Sequence, residues 1–171
     1  MIFLDVFLGV ATGIFVGVQT NLLINALRNH RTYRKLKKEL KFEVEFNIKK
    51  INSFINKLKE YQEHINGKSP YEYFGEFKIS GVLKTTLRQM FSDRSIYKFY
   101  DYESISRFQT FLDDFQPQTQ EKINDDIQKF REIEDADKMR KFANKFIEYL
   151  ESGLKEAKNN LEAVKMKKAK F

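Results

Sequence analysis

The sequence predicts an all-α protein in which an amino-terminal transmembrane helix continues into an antiparallel helical cytoplasmic bundle. Three observations predict it. Residues Val6 to Leu27 carry no charge. Apolar residues recur at three, four or seven positions over most of the remaining chain. The 171 residues include only two prolines and seven glycines, too few turn-formers for a sandwich or barrel of many short strands. With 42% hydrophobic residues, a chain of this length builds one ordinary core.

Residues 1–27 form the first element. The charge-free run VFLGVATGIFVGVQTNLLINAL, as a helix, spans about 33 Å, the thickness of a hydrocarbon core. A cleaved signal peptide wants a basic start and a shorter apolar run, and MIFLD has no Lys or Arg. The competing reading is a buried core helix, to which Gln19, Thr20, Asn21 and Asn25 lend weight. Within the span, Asp5, Thr12 and Gln19 recur every seven residues and form a narrow polar stripe. Gly9, Gly13 and Gly17 recur every four along its flank, where small residues let helices approach closely in lipid. Polar groups in hydrocarbon normally face protein or water, so the helix is expected to associate. Three arrangements fit: a dimer or trimer seam, a ring with Asp5, Thr12 and Gln19 facing a lumen, and a lone anchor with chance spacing. Asp5 has a simpler role open to it, as a carboxylate complementing the helix dipole.

Residues 28–41 form a basic juxtamembrane segment. Arg28, Arg31, Arg34, Lys35, Lys37, Lys38 and Lys41 face a single acid, Glu39. Positive residues stay on the cytoplasmic side, so the sequence predicts an inner-membrane protein with its amino terminus outside. The same cations suit anionic lipid head groups.

Residues 42–171 form the helical cytoplasmic domain. Leu36, Leu40, Val44, Ile48, Ile51, Ile55, Leu58 and Ile65 continue the helical pattern, without Pro or Gly between residues 18 and 66, so one long rod is expected. Asn66-Gly67-Lys68-Ser69-Pro70 stops it. Residues 71–81 are expected as an extended piece or packed loop, and 82–91 as a short helix. Residues 92–115 carry Phe108, Phe111, Leu112 and Phe115 at helical spacing. Further helices are expected over about 118–133 and 135–168, the last with Met139, Phe142, Phe146, Leu150, Leu154, Leu161 and Val164 as its stripe. Tyr97, Phe99, Tyr100 and Tyr102 are expected mainly in the core, with base stacking beside Lys98 as the alternative. The lysines at 165, 167, 168 and 170 suit a helix end, lipid or RNA.

The net charge of +7 is concentrated in residues 28–41 and 165–171, and residues 42–164 are slightly acidic. A general nucleic-acid binder more often carries a basic face on its folded body. Cysteine is absent, which excludes disulfides, thiolate metal sites and cysteine nucleophiles, and two histidines are too few for a His-built zinc centre. No phosphate-binding loop or HExxH motif occurs. Asp113-Asp114 and Asp125-Asp126 are neighbours that point in different directions on a helix, and His30 and His64 have no nucleophile beside them in sequence. No catalytic residue, metal site, cofactor or small-molecule substrate is therefore expected.

One tract approaches a known catalytic motif. HEPN ribonucleases pair an Arg with a His four to six residues later, and Arg28-Asn29-His30-Arg31-Thr32-Tyr33 places a tyrosine where that His belongs. Together, VFLGVATGIFVGV, RNHRTYRKLKK and the helical remainder resemble the small membrane accessory proteins of type VI-B CRISPR systems. That resemblance implies a ring-shaped, pore-forming membrane protein with a divergent HEPN-like motif. It also implies work beside an RNA-guided ribonuclease effector, membrane depolarisation during antiviral defence and no RNA cleavage of its own. The expected partners are the lipid bilayer, further copies of the chain, and that effector or RNA. The alternatives are a membrane-tethered helical adaptor that recruits a cytoplasmic partner, and a degenerate HEPN-type ribonuclease.

Overall fold

A computed structural model of the chain describes residues 2–67 and 77–164, with side chains from Val18 onward. Among these residues all regular elements are helices: α1 (Ile2–Ile65), α2 (Thr85–Ser92), α3 (Ile96–Phe99), α4 (Tyr102–Asp114), α5 (Pro117–Arg131) and α6 (Ala136–Glu162). The chain divides into two compact units, Met1–Glu39 and Leu40–Phe171, with the division falling inside α1.

In the first unit, the described side chains from Val18 to Thr32 are all exposed. Among the described residues no helix is long and apolar enough to cross a membrane. The side chains of residues 1–17, most of the expected span, lie outside the described residues.

The second unit is a helical bundle. Its part of α1 ends at Ile65, and the Gly67 amide donates to the His64 carbonyl at 3.0 Å, closing the last turn. The pairing with α6 is antiparallel. Arg140, in the first turns of α6, donates to the Ile65 and Gly67 carbonyls at 3.2 and 3.0 Å. Further along both helices, Leu58 lies with Phe146, Ile147 and Leu150. Helices α4 and α5 each pack against α6. The core runs from Leu40, Ile51, Phe54 and Leu58 through Phe108 and Phe111 to Ile147 and Leu161.

Local chemistry sets the helix ends. Asp101 accepts from the Ser104 amide at 2.8 Å, and Asp135 accepts from the Asp137 and Lys138 amides at 3.0 and 3.1 Å, so each caps its own helix. Pro117 opens α5 at the position where a missing N–H costs nothing. The aromatic tract expected over 92–115 is interrupted twice. Arg94 takes a positive φ of 60°, and Tyr100 is extended, so α3 and α4 are separate helices.

Two apolar stripes differ from the expected ones. On α1 the inward positions are Leu40, Glu43, Asn47, Ile51, Phe54 and Leu58, whereas Val44 and Ile48 are only half-buried. On α6, Ala143, Ile147 and Ala157 join Met139, Leu154 and Leu161 in the core, while Phe142 turns outward with 55% of its surface exposed. In the 97–102 tract only Tyr100 is fully buried, and Tyr97 and Tyr102 are exposed. The core placement expected for the tract therefore holds for Tyr100 and fails for the other two tyrosines.

Candidate functional site

Residues 18–27 of the first unit expose apolar side chains interleaved with Gln19, Thr20, Asn21 and Asn25. Val18, Leu22, Leu23, Ile24 and Leu27 are all exposed on α1. At about 100° per residue they cover well over half of the helix circumference. A surface helix buried against one neighbour would confine such residues to one stripe. This all-round distribution suits a surrounding apolar medium or neighbours on several sides.

A collar of cations comes directly after it. Arg28, Arg31, Arg34, Lys35, Lys38 and Lys41 are exposed, and Lys37 is half-buried. Lys35 lies 3.6 Å from Glu39 and Lys41 lies 3.7 Å from Glu45, both exposed pairs with little energetic weight. Arg28, Arg31, Arg34 and Lys38 make no ion pair among the described residues. Exposed apolar residues followed by uncompensated cations are the arrangement that an anionic membrane surface complements. His30 is exposed in the same collar.

Of the residues expected to line a lumen, Gln19 is described and fully open to its surroundings. Asp5 and Thr12, together with the packing glycines Gly9, Gly13 and Gly17, lie outside the residues whose side chains are described. The tail lysines from Lys165 onward lie outside the described residues as well.

The second unit contains a polar device that the periodicity of α1 conceals. Glu43, 4% exposed, accepts from the Thr86 and Leu87 amides at 2.8 and 3.1 Å. Those are the orphan N–H groups of the first turn of α2, whose own flanking residue Lys84 provides no side-chain cap. One turn later Asn47, 1% exposed, donates to the Leu83 carbonyl at 2.6 Å and accepts from the Leu83 amide at 2.7 Å. Gln120 treats the other end of this segment the same way, accepting from the Ile79 amide at 2.8 Å and donating to the Phe77 carbonyl at 2.9 Å. The two side-chain amides thus act as strand partners for residues 77–83. Gly81, at φ 86°, makes the bend between the two clamps. Lys84 donates to the Phe115 carbonyl, and its pKa is lowered by burial and then by neighbouring Arg88. A sequence signal for Glu43 and Asn47 existed in their spacing of four on the apolar face of a helix. Only the backbone that satisfies them was out of view.

Along α5 and α6 runs an open groove of about 580 Å³, walled by Phe130, Ile133, Phe142, Phe146 and Tyr149. Tyr149 also borders a second cleft of about 490 Å³, where Asp113, Asp114 and Glu156 gather. Asp114 titrates above the ordinary carboxylate range, first through partial desolvation and then through the repulsion of Glu156 and Asp113. The Asp113-Asp114 pair is exposed, as expected, and borders this cleft. Among the described residues no group of three or more His, Cys, Asp or Glu side chains is placed to hold a metal ion. No known protein family, curated protein or solved structure matches the chain.

Proposed function

We propose that this chain is a membrane-anchored homo-oligomer that acts as a pore or pore-like effector. One observation carries the reading: exposed apolar side chains spread around most of the helix from Val18 to Leu27, followed by the unpaired cations Arg28, Arg31, Arg34 and Lys38. Water solvates such a surface poorly, whereas lipid followed by anionic head groups solvates it well. The span is Val6–Leu27, with the amino terminus outside and the bundle in the cytoplasm, as the basic flank dictates. Asp5, Thr12 and Gln19 face a lumen, and Gly9, Gly13 and Gly17 pack against neighbouring helices. The second unit serves assembly and partner recognition and has no catalytic step. The resemblance to type VI-B CRISPR accessory proteins supports a role in antiviral defence, with membrane depolarisation as the output.

The test is fractionation of the full-length chain, followed by its mass in detergent. Membrane retention after alkaline washing and a mass of many copies are expected. Full-length protein recovered without detergent would remove the anchor, and a dimer without ion flux would leave a membrane-tethered adaptor.

A further inference from the structure

We propose that the groove along α5 and α6 receives the Phe42 face of α1 from a second copy of this chain. The proposal rests on the oligomeric reading given under Proposed function and specifies how the cytoplasmic units join.

Both surfaces expose large aromatic side chains in the single chain. Phe142 and Tyr149 stand in the groove with 55% and 75% of their surfaces exposed, and Phe42 stands on α1 with 63% exposed. Exposed aromatic side chains that share one patch, as Phe142 and Tyr149 do in the groove, mark contact surfaces. Phe42 falls on the outward face, about 200° around the helix from buried Leu40 and about 100° from Glu43, which is held inward by its bonds to α2.

The charges around these rings complement each other. Beyond Tyr149 on α6 lies the acidic cleft of Asp113, Asp114 and Glu156, whose carboxylates make no ion pair among the described residues. Before Tyr149 lies Lys145, while Lys129 on α5 is paired with Asp126 at 2.8 Å. On α1 the order along the chain is the same: Lys38, unpaired, comes one turn before Phe42, and Glu45, beside Lys41, comes one turn after it. An α1 running antiparallel to α6 would set Lys38 toward the acids, Phe42 against Tyr149 and Phe142, and Glu45 toward Lys145.

Geometry supplies that direction. Within one chain α6 runs antiparallel to α1, since Arg140 meets Ile65 and Leu150 lies with Leu58. In a ring of copies inserted the same way, every α1 points alike, so a neighbour's α1 is also antiparallel to this α6. The two surfaces are different patches, so the contact is head-to-tail, the kind that closes into rings.

The sequence has no cysteine, so paired cysteines report this contact without background. Two full-length chains, one Phe42→Cys and one Tyr149→Cys, carrying different tags, are co-expressed and oxidised in membranes. A mixed cross-linked dimer is expected, and a chain carrying both changes should give a ladder of higher species. Phe42→Cys paired with Tyr102→Cys should give none, as Tyr102 is exposed elsewhere. Detergent mass and helical circular dichroism are read on every variant. No mixed cross-link in variants that keep the wild-type oligomer mass overturns the groove contact and leaves the oligomer standing. Cross-linking of Phe42→Cys to itself overturns it in favour of a symmetric α1 seam. A wild-type chain that is monomeric in detergent removes the underlying reading instead.

Discussion

Replacing Glu43 by Ala removes the carboxylate that caps α2, and its cost can be worked from two bonds. The Thr86 and Leu87 amides donate to it at 2.8 and 3.1 Å, and the Leu87 bond is buried. Hydrogen bonds to a charged acceptor contribute about 1.5 kcal/mol or more each, and the two amides would be left without a partner. A total loss of about 3 kcal/mol is expected. For a folded unit of this size that lowers the midpoint of thermal unfolding by roughly 10 °C. Glu43→Gln keeps one acceptor oxygen and loses the charge, so about half the loss is expected. Glu148→Ala, on the exposed face of α6, should stay within about 0.5 kcal/mol of wild type. The assay is thermal and chemical denaturation of the full-length chain in detergent, followed by circular dichroism. A Glu43→Ala variant within about 1 kcal/mol of wild type would show that this carboxylate does not hold α2.

Three further outcomes rest on the same geometry. Gln120→Ala should cost about 2 kcal/mol and speed hydrogen exchange at the Ile79 amide, and unchanged exchange there would show that the segment 77–79 is held by other means. Asp114 has a raised pKa, so the folded state holds its proton more tightly than the unfolded chain; this support is complete below the ordinary carboxylate value of 3.8 and lost as pH rises through the raised one. Asp114→Asn should flatten that limb of the stability profile and leave the protein at least as stable at neutral pH, and an unchanged slope would refute the crowding of acids. Burial pushes the Tyr100 phenol from 10.0 up to about 12, so its contribution is intact below pH 10.0 and fades toward pH 12. Tyr100→Phe should remove a tyrosine that ionises near pH 12 from an absorbance titration, and a titration matching wild type there would contradict that burial.

The helical character of the chain was legible because it rests on local rules. Asn66-Gly67 stops α1 where the sequence places the stop, and Pro117 opens α5 one residue before the expected start. Side-chain facing was less legible, because it depends on distant partners. Glu43 and Asn47 lie on the apolar face of α1, but what makes their burial possible is the backbone of residues 83–87, about 40 positions away, which satisfies them. With these two polar groups inward, α1 rotates so that Val44 and Ile48 sit at the edge of the core. Phe142 looks like core because it is aromatic and correctly spaced, yet the small Ala143 takes the buried position where α6 packs closely. The break at Arg94 has no Gly or Pro to announce it. Nothing in the tract 92–95 marks a positive φ beyond its polar composition. Of the candidate site, the order of apolar run and basic collar was legible directly, because it is a linear property of one helix. The groove on α5 and α6 was not, because it is formed by residues that a helical stripe assigns to the core.

If α1 lines a conducting lumen, Gln19→Leu should close it. Gln19 is exposed on α1 and shares a seven-residue spacing with Asp5 and Thr12. A ring of amide groups keeps a lumen wetted, whereas a ring of leucines favours drying and closure. If Gln19 instead sits in a dry seam, its inter-helix hydrogen bond contributes about 0.6 kcal/mol and its loss weakens assembly first. The measurement is ion flux through liposomes holding the purified full-length chain, with oligomer mass in detergent read on the same samples. The account predicts that the wild type conducts and that Gln19→Leu conducts much less at unchanged mass. Equal flux in the two proteins, or a wild type that assembles and never conducts, would contradict it.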